Sequence, residues 1–200
     1  MKILLATGNE GKRNEMVEAF RVHGLTEDIV FASLKDLGRT EDPEETGMTF
    51  EENALLKAKF FAGLTGLPSI GEDSGLILDT YPEKFGLRTR REIPEKEDKA
   101  WLDAFLTLLE GETNRKATFY SSMAYFDPQT EKEFICIGEC SGVITEQSET
   151  EMEPGIPVSA VFIPDGYDVV YSAMTKEEKN AASHRGSSAK AMAEFLRTLS

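Results

Sequence analysis

Cysteine is nearly absent from this chain, basic residues are outnumbered by acidic ones, and no long apolar run occurs. Its two cysteines, Cys136 and Cys140, lie in FICIGEC. On a strand they share one face but sit too far apart along it for an easy disulfide. A two-ligand zinc site would lack nearby histidines, so the pair reads as reduced structural thiols of a cytoplasmic protein. Lys and Arg number 22 against 36 Asp and Glu, a net charge of -14. That argues against duplex nucleic acid, whose binding depends on phosphate neutralisation by Lys and Arg. It leaves room for a small phosphorylated ligand held by a few local charges and a metal. The lack of apolar runs excludes a membrane span, and Ile3 to Ala6 is too short for a signal peptide. Internal repeats, low-complexity tracts and linkers are also missing.

What is present suits one domain over residues 1–200, with 40% hydrophobic residues to build a core. Residues 2–6 read as a buried strand and 11–23 as a helix carrying Met16 and Phe20, with a stop at His23-Gly24. Ile29 to Ser33 reads as a short strand, followed by an acidic loop, EDPEETG, from Glu41 to Gly47. Thr49 and Glu52 form a capping box for a helix running to about Ala62. Residues 69–79, SIGEDSGLILD, look like a strand interrupted by a polar kink. Trp101, Leu102, Phe105, Leu106 and Leu109 mark an amphipathic helix ending at Gly111. From Ala117 to about Ile163 the pattern turns to strands, with turns at DPQT and near EPG. Thr175 and Glu178 form another capping box, and a last helix fills roughly 186–199. Alternating helices and strands, followed by an antiparallel block, give a mixed-sheet α/β fold.

Polar residues inside apolar patterns mark the candidate chemistry. The opening MKILLATGNEGKRNE breaks from a strand into small and amide residues, then a lysine, just before a helix. Such a loop commonly holds a phosphate. A P-loop is excluded, because only two residues separate Gly8 from Gly11 and Arg13 follows Lys12 where Ser or Thr is required. The dinucleotide fingerprint needs a third glycine that is absent. In EDSG, Glu72 and Asp73 are adjacent and face opposite ways on a strand, so one of them is expected to look into a cleft. Ser74-Gly75 would let the chain turn there, and an exposed acidic strand end is the plainer alternative. Glu44 and Glu45 precede the Thr49 helix, where the helix dipole also favours acids. A carboxylate from each site would suit Mg²⁺, which takes oxygen ligands and shares them with substrate phosphates. In TKEEKNAASHRG, Lys179, His184 and Arg185 gather near a helix start, where Ser183 could be an N-cap. Arg185 could read a carbonyl-rich ring edge or a phosphate through its planar fork.

Together these stretches resemble the inosine triphosphate pyrophosphatase family, whose members hydrolyse non-standard purine nucleoside triphosphates to the monophosphate and pyrophosphate. The matching segments are ATGNEGKRNE at 6–15, EETGMTFEENALLKAK at 44–59, EDSGL at 72–76 and TKEEKNAASHRG at 175–186, in the family's order. The resemblance implies an elongated mixed-sheet α/β fold, a nucleotide cleft between two lobes, and a homodimer. It implies that Thr7, Gly8, Asn9, Glu10, Gly11 and Lys12 cradle the triphosphate. Glu44 matches the metal-binding acid, with Glu45 beside it left open, and Asp73 matches the carboxylate that binds metal and activates water. Ser74 matches a substrate contact, and Lys179, His184 and Arg185 match residues facing the base.

Two stretches depart from the family's pattern. Where it carries GFGYDP, this chain has EPGIPVSA from Glu153 to Ala160, without the stacking aromatic. Where it shows PG-x-x-SARY, this chain has KFGLRTRREIP from Lys84 to Pro94, with Arg88, Arg90 and Arg91 as its densest basic group. Both bear on base recognition more than on phosphate or metal. The expected activity is therefore Mg²⁺-dependent pyrophosphohydrolysis of ITP, dITP or XTP with altered base selectivity. A catalytically weak nucleotide-binding regulatory protein is the alternative. Phe162, Tyr167 and Tyr171 are candidates to replace the lost aromatic.

Overall fold

A computed structural model describes residues 1–25, 29–41 and 43–199; Asp42 of the acidic loop lies outside them. The buried strand β1 (Lys2–Ala6) leads through the TGN turn into α1 (Glu10–Val22). Asn9 caps that helix, its side-chain oxygen accepting from the Lys12 N–H at 3.0 Å. After β2 (Val30–Ser33) comes α2 (Phe50–Thr65), capped by Thr49. The chain continues through β3 (Ser69–Leu78), α3 (Asp98–Leu108), β4 (Lys116–Phe126), β5 (Glu133–Ile144) and β6 (Phe162–Pro164). It closes with α4 (Lys176–Ala182), which carries the full Thr175–Glu178 capping box, and α5 (His184–Arg197). The sheet order is β2-β1-β3-β4-β5-β6, with β1 parallel to both neighbours and the remaining pairs antiparallel. This is the mixed α/β architecture expected. No helix among the described residues is long and apolar enough to cross a membrane.

The expected kink in 69–79 is not there. β3 runs unbroken for ten residues, paired throughout with β4, and Ser74-Gly75 makes no turn. Its polar residues are tolerated because cations from distant helices meet them inside the sheet layer.

Strand alternation explains the two lobes. On one face of β3 stand Ile70, Glu72, Ser74, Leu76 and Leu78, opposite Tyr125, Met123, Ser121, Phe119 and Ala117 of β4. The row is apolar, then polar, then apolar again. At one end α1 and α5 close over Ile70, Met123 and Tyr125 with Met16, Phe20, Met192 and Leu196. At the other, α3 and the 157–162 segment close over Leu76, Leu78 and Ala117 with Trp101, Phe105 and Phe162. Burying each such side chain contributes roughly 1.5–3 kcal/mol. Each cluster therefore secures its own half of the sheet and leaves the polar stretch as a gap. The opposite face is covered by α2, through Ala54 and Ala58 against Ala124.

The start of α5 reaches this gap because of a glycine. A Cβ on Gly138 of β5 would lie 2.2 Å from the His184 carbonyl oxygen, so only glycine lets the helix end sit down on the sheet there.

Candidate active site

The gap is filled by charge. Glu72 is 1% exposed and accepts from Lys12 Nζ and from Arg185 Nε, each at 3.1 Å. Burial would raise its pKa, but Lys12, Arg185 and Lys57 bring it well below the usual carboxylate range. Arg185 also donates to Glu15 at 2.7 Å and to Ser74 Oγ at 2.7 Å. Burial alone would lower Arg185, yet Glu72 and Glu15 raise it, so it stays charged. Glu15 in turn pairs with Lys179, which reaches Glu153 as well. Buried pairs of this kind are costly to break singly, because the remaining partner is left charged and dry.

Asp73 faces the other way, as adjacent strand residues must, yet it lines the same cavity as Glu72. The expectation that only one of the two would reach the cleft is corrected: the cleft spans both faces of β3. Lys57 of α2 donates to Asp73 at 3.0 Å and to Glu45 at 2.8 Å, and Asn53, one turn earlier, donates to Asp73 at 3.3 Å. Arg91 holds the other Glu45 oxygen at 2.5 Å. Burial, assisted by Glu72 and Glu45, raises the Asp73 pKa despite Lys57 and Lys12. A carboxylate raised in this way is a better proton acceptor than an ordinary one. Glu45 and Asp73 converge on one cationic point, the Lys57 ammonium, and this pair of oxygen donors fits a hard divalent ion. Among the described residues, no three His, Cys, Asp or Glu side chains gather closely enough to hold a metal alone. A divalent ion held there would take its remaining ligands from substrate or water.

Two cavities meet here. The larger, about 950 Å³, is lined by Thr7 to Glu10, Lys12, Lys57, Glu72, Asp73 and the Arg90-Arg91 segment. Among the described residues its lining brings Lys and Arg together with Asp and Glu in nearly equal number. The smaller, about 130 Å³, is walled mainly by Trp101, Phe119, Ile156, Pro157, Tyr171 and His184. Asn9, Lys12, Ser74, Thr89 and Arg90 line both. His184 is 3% exposed and stacks on Phe119, with centroids 4.7 Å apart. Burial, with Arg185 next to it, holds its pKa well below 6.5, and neither ring nitrogen has a hydrogen-bond partner among the described residues.

Most of the residues expected from sequence converge. Thr7, Gly8, Asn9, Glu10, Lys12, Asp73 and Ser74 line the polar cavity, and His184 and Arg185 line the apolar one. Gly11 and Lys179 turn instead to a third cavity between α1 and α4. Glu44 is exposed and lines none of the three, while Glu45 lines the polar one. Arg88 is exposed and apart, whereas Arg90 and Arg91 are at the site. Of the aromatic candidates, Tyr171 lines the apolar cavity, Phe162 is buried beneath it and Tyr167 is elsewhere. Glu15, Asn53, Lys57, Trp101 and Phe119 were not foreseen. Asn53 and Lys57 do leave a signal, being polar residues spaced i,i+4 among the buried Ala54, Ala58 and Phe61 of α2.

Comparison with known proteins agrees with this geometry. Residues 3–195 match the model of the Ham1 family. The chain belongs to the Ham1 family. It is 35% identical to the dITP/XTP pyrophosphatase of Lactobacillus acidophilus, covering 99% of this chain and 98% of that protein. It is 36% identical to the dITP/XTP pyrophosphatase of Pectobacterium atrosepticum, with 98% of each covered. Among solved structures, the Ham1 protein of Coxiella burnetii superposes with a TM-score of 0.79 at 28% identity, over 99% of both chains. The Ham1 protein of Staphylococcus aureus gives 0.79 at 29% identity, over 100% of both.

Proposed function

We propose that this chain hydrolyses non-standard purine nucleoside triphosphates, of the ITP, dITP and XTP type, to the monophosphate and pyrophosphate. The observation that carries the reading is the junction of a cavity lined by charged residues with an apolar, aromatic-walled one at Lys12 and Ser74. A nucleoside triphosphate has that same division of character. The activity in the names of the relatives supports the same reading.

The triphosphate lies against the start of α1, where the helix dipole favours an anion, with Lys12 as its nearest charge. Burial lowers the Lys12 pKa, and release from Glu72 lets the ammonium turn to phosphate. Asp73 accepts the proton of a water aimed at the α-phosphorus, and Lys12 steadies the departing pyrophosphate. Glu45, not the exposed Glu44, would join Asp73 in holding Mg²⁺, at the point where Lys57 now pairs with both. When bound there, Mg²⁺ supplies charge neutralisation and orientation of the phosphates. The base enters the apolar cavity between the 155–158 segment and the Phe119–His184 stack. With no aromatic in the 153–161 stretch, selection among purines is weaker than where such a ring stacks on the base.

The test is a panel of ITP, dITP and XTP beside the ordinary NTPs and dNTPs with Mg²⁺, following pyrophosphate and orthophosphate separately. Pyrophosphate in step with monophosphate is expected, and it should vanish in Asp73→Asn. Orthophosphate alone, or no turnover with any nucleotide, would defeat the reading. A strong preference for ITP and XTP over ATP and GTP would refute the altered selectivity alone.

A further inference from the structure

The two stretches that depart from the family's pattern, Lys84 to Pro94 and Glu153 to Ala160, are joined in space. Arg90 donates to Asp98 Oδ1 at 2.8 Å and to the Lys96 carbonyl at 2.6 Å. The other Asp98 oxygen accepts from the Gly155 N–H at 2.7 Å. The Gly155 carbonyl accepts from Asn9 Nδ2 at 3.0 Å, and Asn9 caps the phosphate-loop helix. One hydrogen-bonded line therefore runs from Arg90 through the substituted loop to Lys12. The tight bend at Gly155, with φ +83°, brings that loop against Asn9.

Arg90 also lies over a stacked pair of rings. Phe105 and Trp101 lie with planes 13° apart and centroids separated by 5.3 Å. The Arg90 guanidinium lies over Trp101, 5.3 Å from its centroid. Trp101 lines the apolar cavity but is only 1% exposed, whereas the Arg90 side chain is 45% exposed and lines both cavities. Guanidinium planes stack on nucleic-acid bases much as aromatic rings do.

We propose that Arg90, backed by Trp101 and Phe105 and held by Asp98, is the surface on which the substrate's base stacks, replacing the aromatic missing from the 153–160 segment. This rests on the nucleotide reading above and adds a specificity-determining residue to it. The series Phe105–Trp101–Arg90 is completed by the base as its fourth layer. The substitutions at 84–94 and 153–160 then form a single change: the loop that lost its ring anchors, through Asp98, the arginine that took its place.

The test measures binding of a non-hydrolysable dITP analogue and of inorganic triphosphate by calorimetry and by the fluorescence of Trp101, the chain's only tryptophan. In the wild-type protein the nucleotide should change Trp101 emission, and inorganic triphosphate, having no base, should not. Arg90→Lys keeps the charge and the Asp98 partner but loses the plane. It should weaken nucleotide binding on the order of tenfold and leave triphosphate affinity unchanged. Wild-type nucleotide affinity in Arg90→Lys would overturn the proposal. Equal weakening for both ligands would also overturn it, since Arg90 would then be a phosphate contact. A wild-type protein that binds neither ligand would instead remove the nucleotide reading itself.

Discussion

The two cavities that meet at Ser74 are built on opposite principles. On the polar side the cations nearest β3 have carboxylates waiting: Lys12 with Glu72, Lys57 with Asp73 and Glu45, Arg91 with Glu45. On the apolar side the walls are rings and aliphatic side chains, and the one buried imidazole has no hydrogen-bond partner among the described residues. The first is held together by what its ligand must displace. The second is held by packing that a ligand can only join. In the proposed reading, chemistry falls to the side whose charges can be exchanged and selection to the side whose shape is fixed.

That contrast can be broken or sharpened by substitution. The largest effect should come from Asp73→Asn, which keeps shape and neighbours but removes the proton acceptor. Turnover should fall by about 10²–10⁴-fold with nucleotide affinity retained, as compared by steady-state kinetics and calorimetry. Next is Glu72→Gln, which leaves Lys12 and Arg185 without their shared counter-charge in a dry gap. Denaturant unfolding should show a loss of about 3–5 kcal/mol. A change near zero would mean that the gap is wetter than its burial implies.

Gly138→Ala should cost about 1–3 kcal/mol by the same measurement, since the new methyl meets the His184 carbonyl. It should disturb both cavities together, because His184 and Arg185 ride on that end of α5. The smallest effect concerns His184 and pH. Its folded pKa lies well below 6.5, so the unfolded chain binds the extra proton as acid is added. The stability this group contributes is thus present above about pH 6.5 and is lost progressively as pH falls below it. His184→Gln should flatten that window, leaving a slope to which His23, whose pKa burial also lowers, contributes.

Much of the polar side could be read from sequence, because its residues sit in short runs whose local chemistry is visible. TGNEGK announces a loop before a helix, T-x-x-E announces a capped helix, and EDSG is out of place in an apolar strand. The error over β3 came from reading Glu72 and Asp73 as a break. Their stabilising partners, Lys12, Arg185 and Lys57, lie 60, 113 and 16 residues away along the chain, and local pattern cannot weigh them. The apolar side was less legible for a related reason. Trp101 and Phe119 look like ordinary core residues of a helix and a strand, and only the fold turns them toward a cavity. What the sequence did disclose there was an absence, the ring missing between Glu153 and Ala160.

Steady-state kinetics with dITP on Asp73→Asn and Phe119→Leu, run side by side, tests the division of labour most directly. The account requires Asp73→Asn to lose kcat with KM little changed, and Phe119→Leu to raise KM with kcat largely kept. Loss of kcat in Phe119→Leu at unchanged KM, or near-normal turnover in Asp73→Asn, would contradict it.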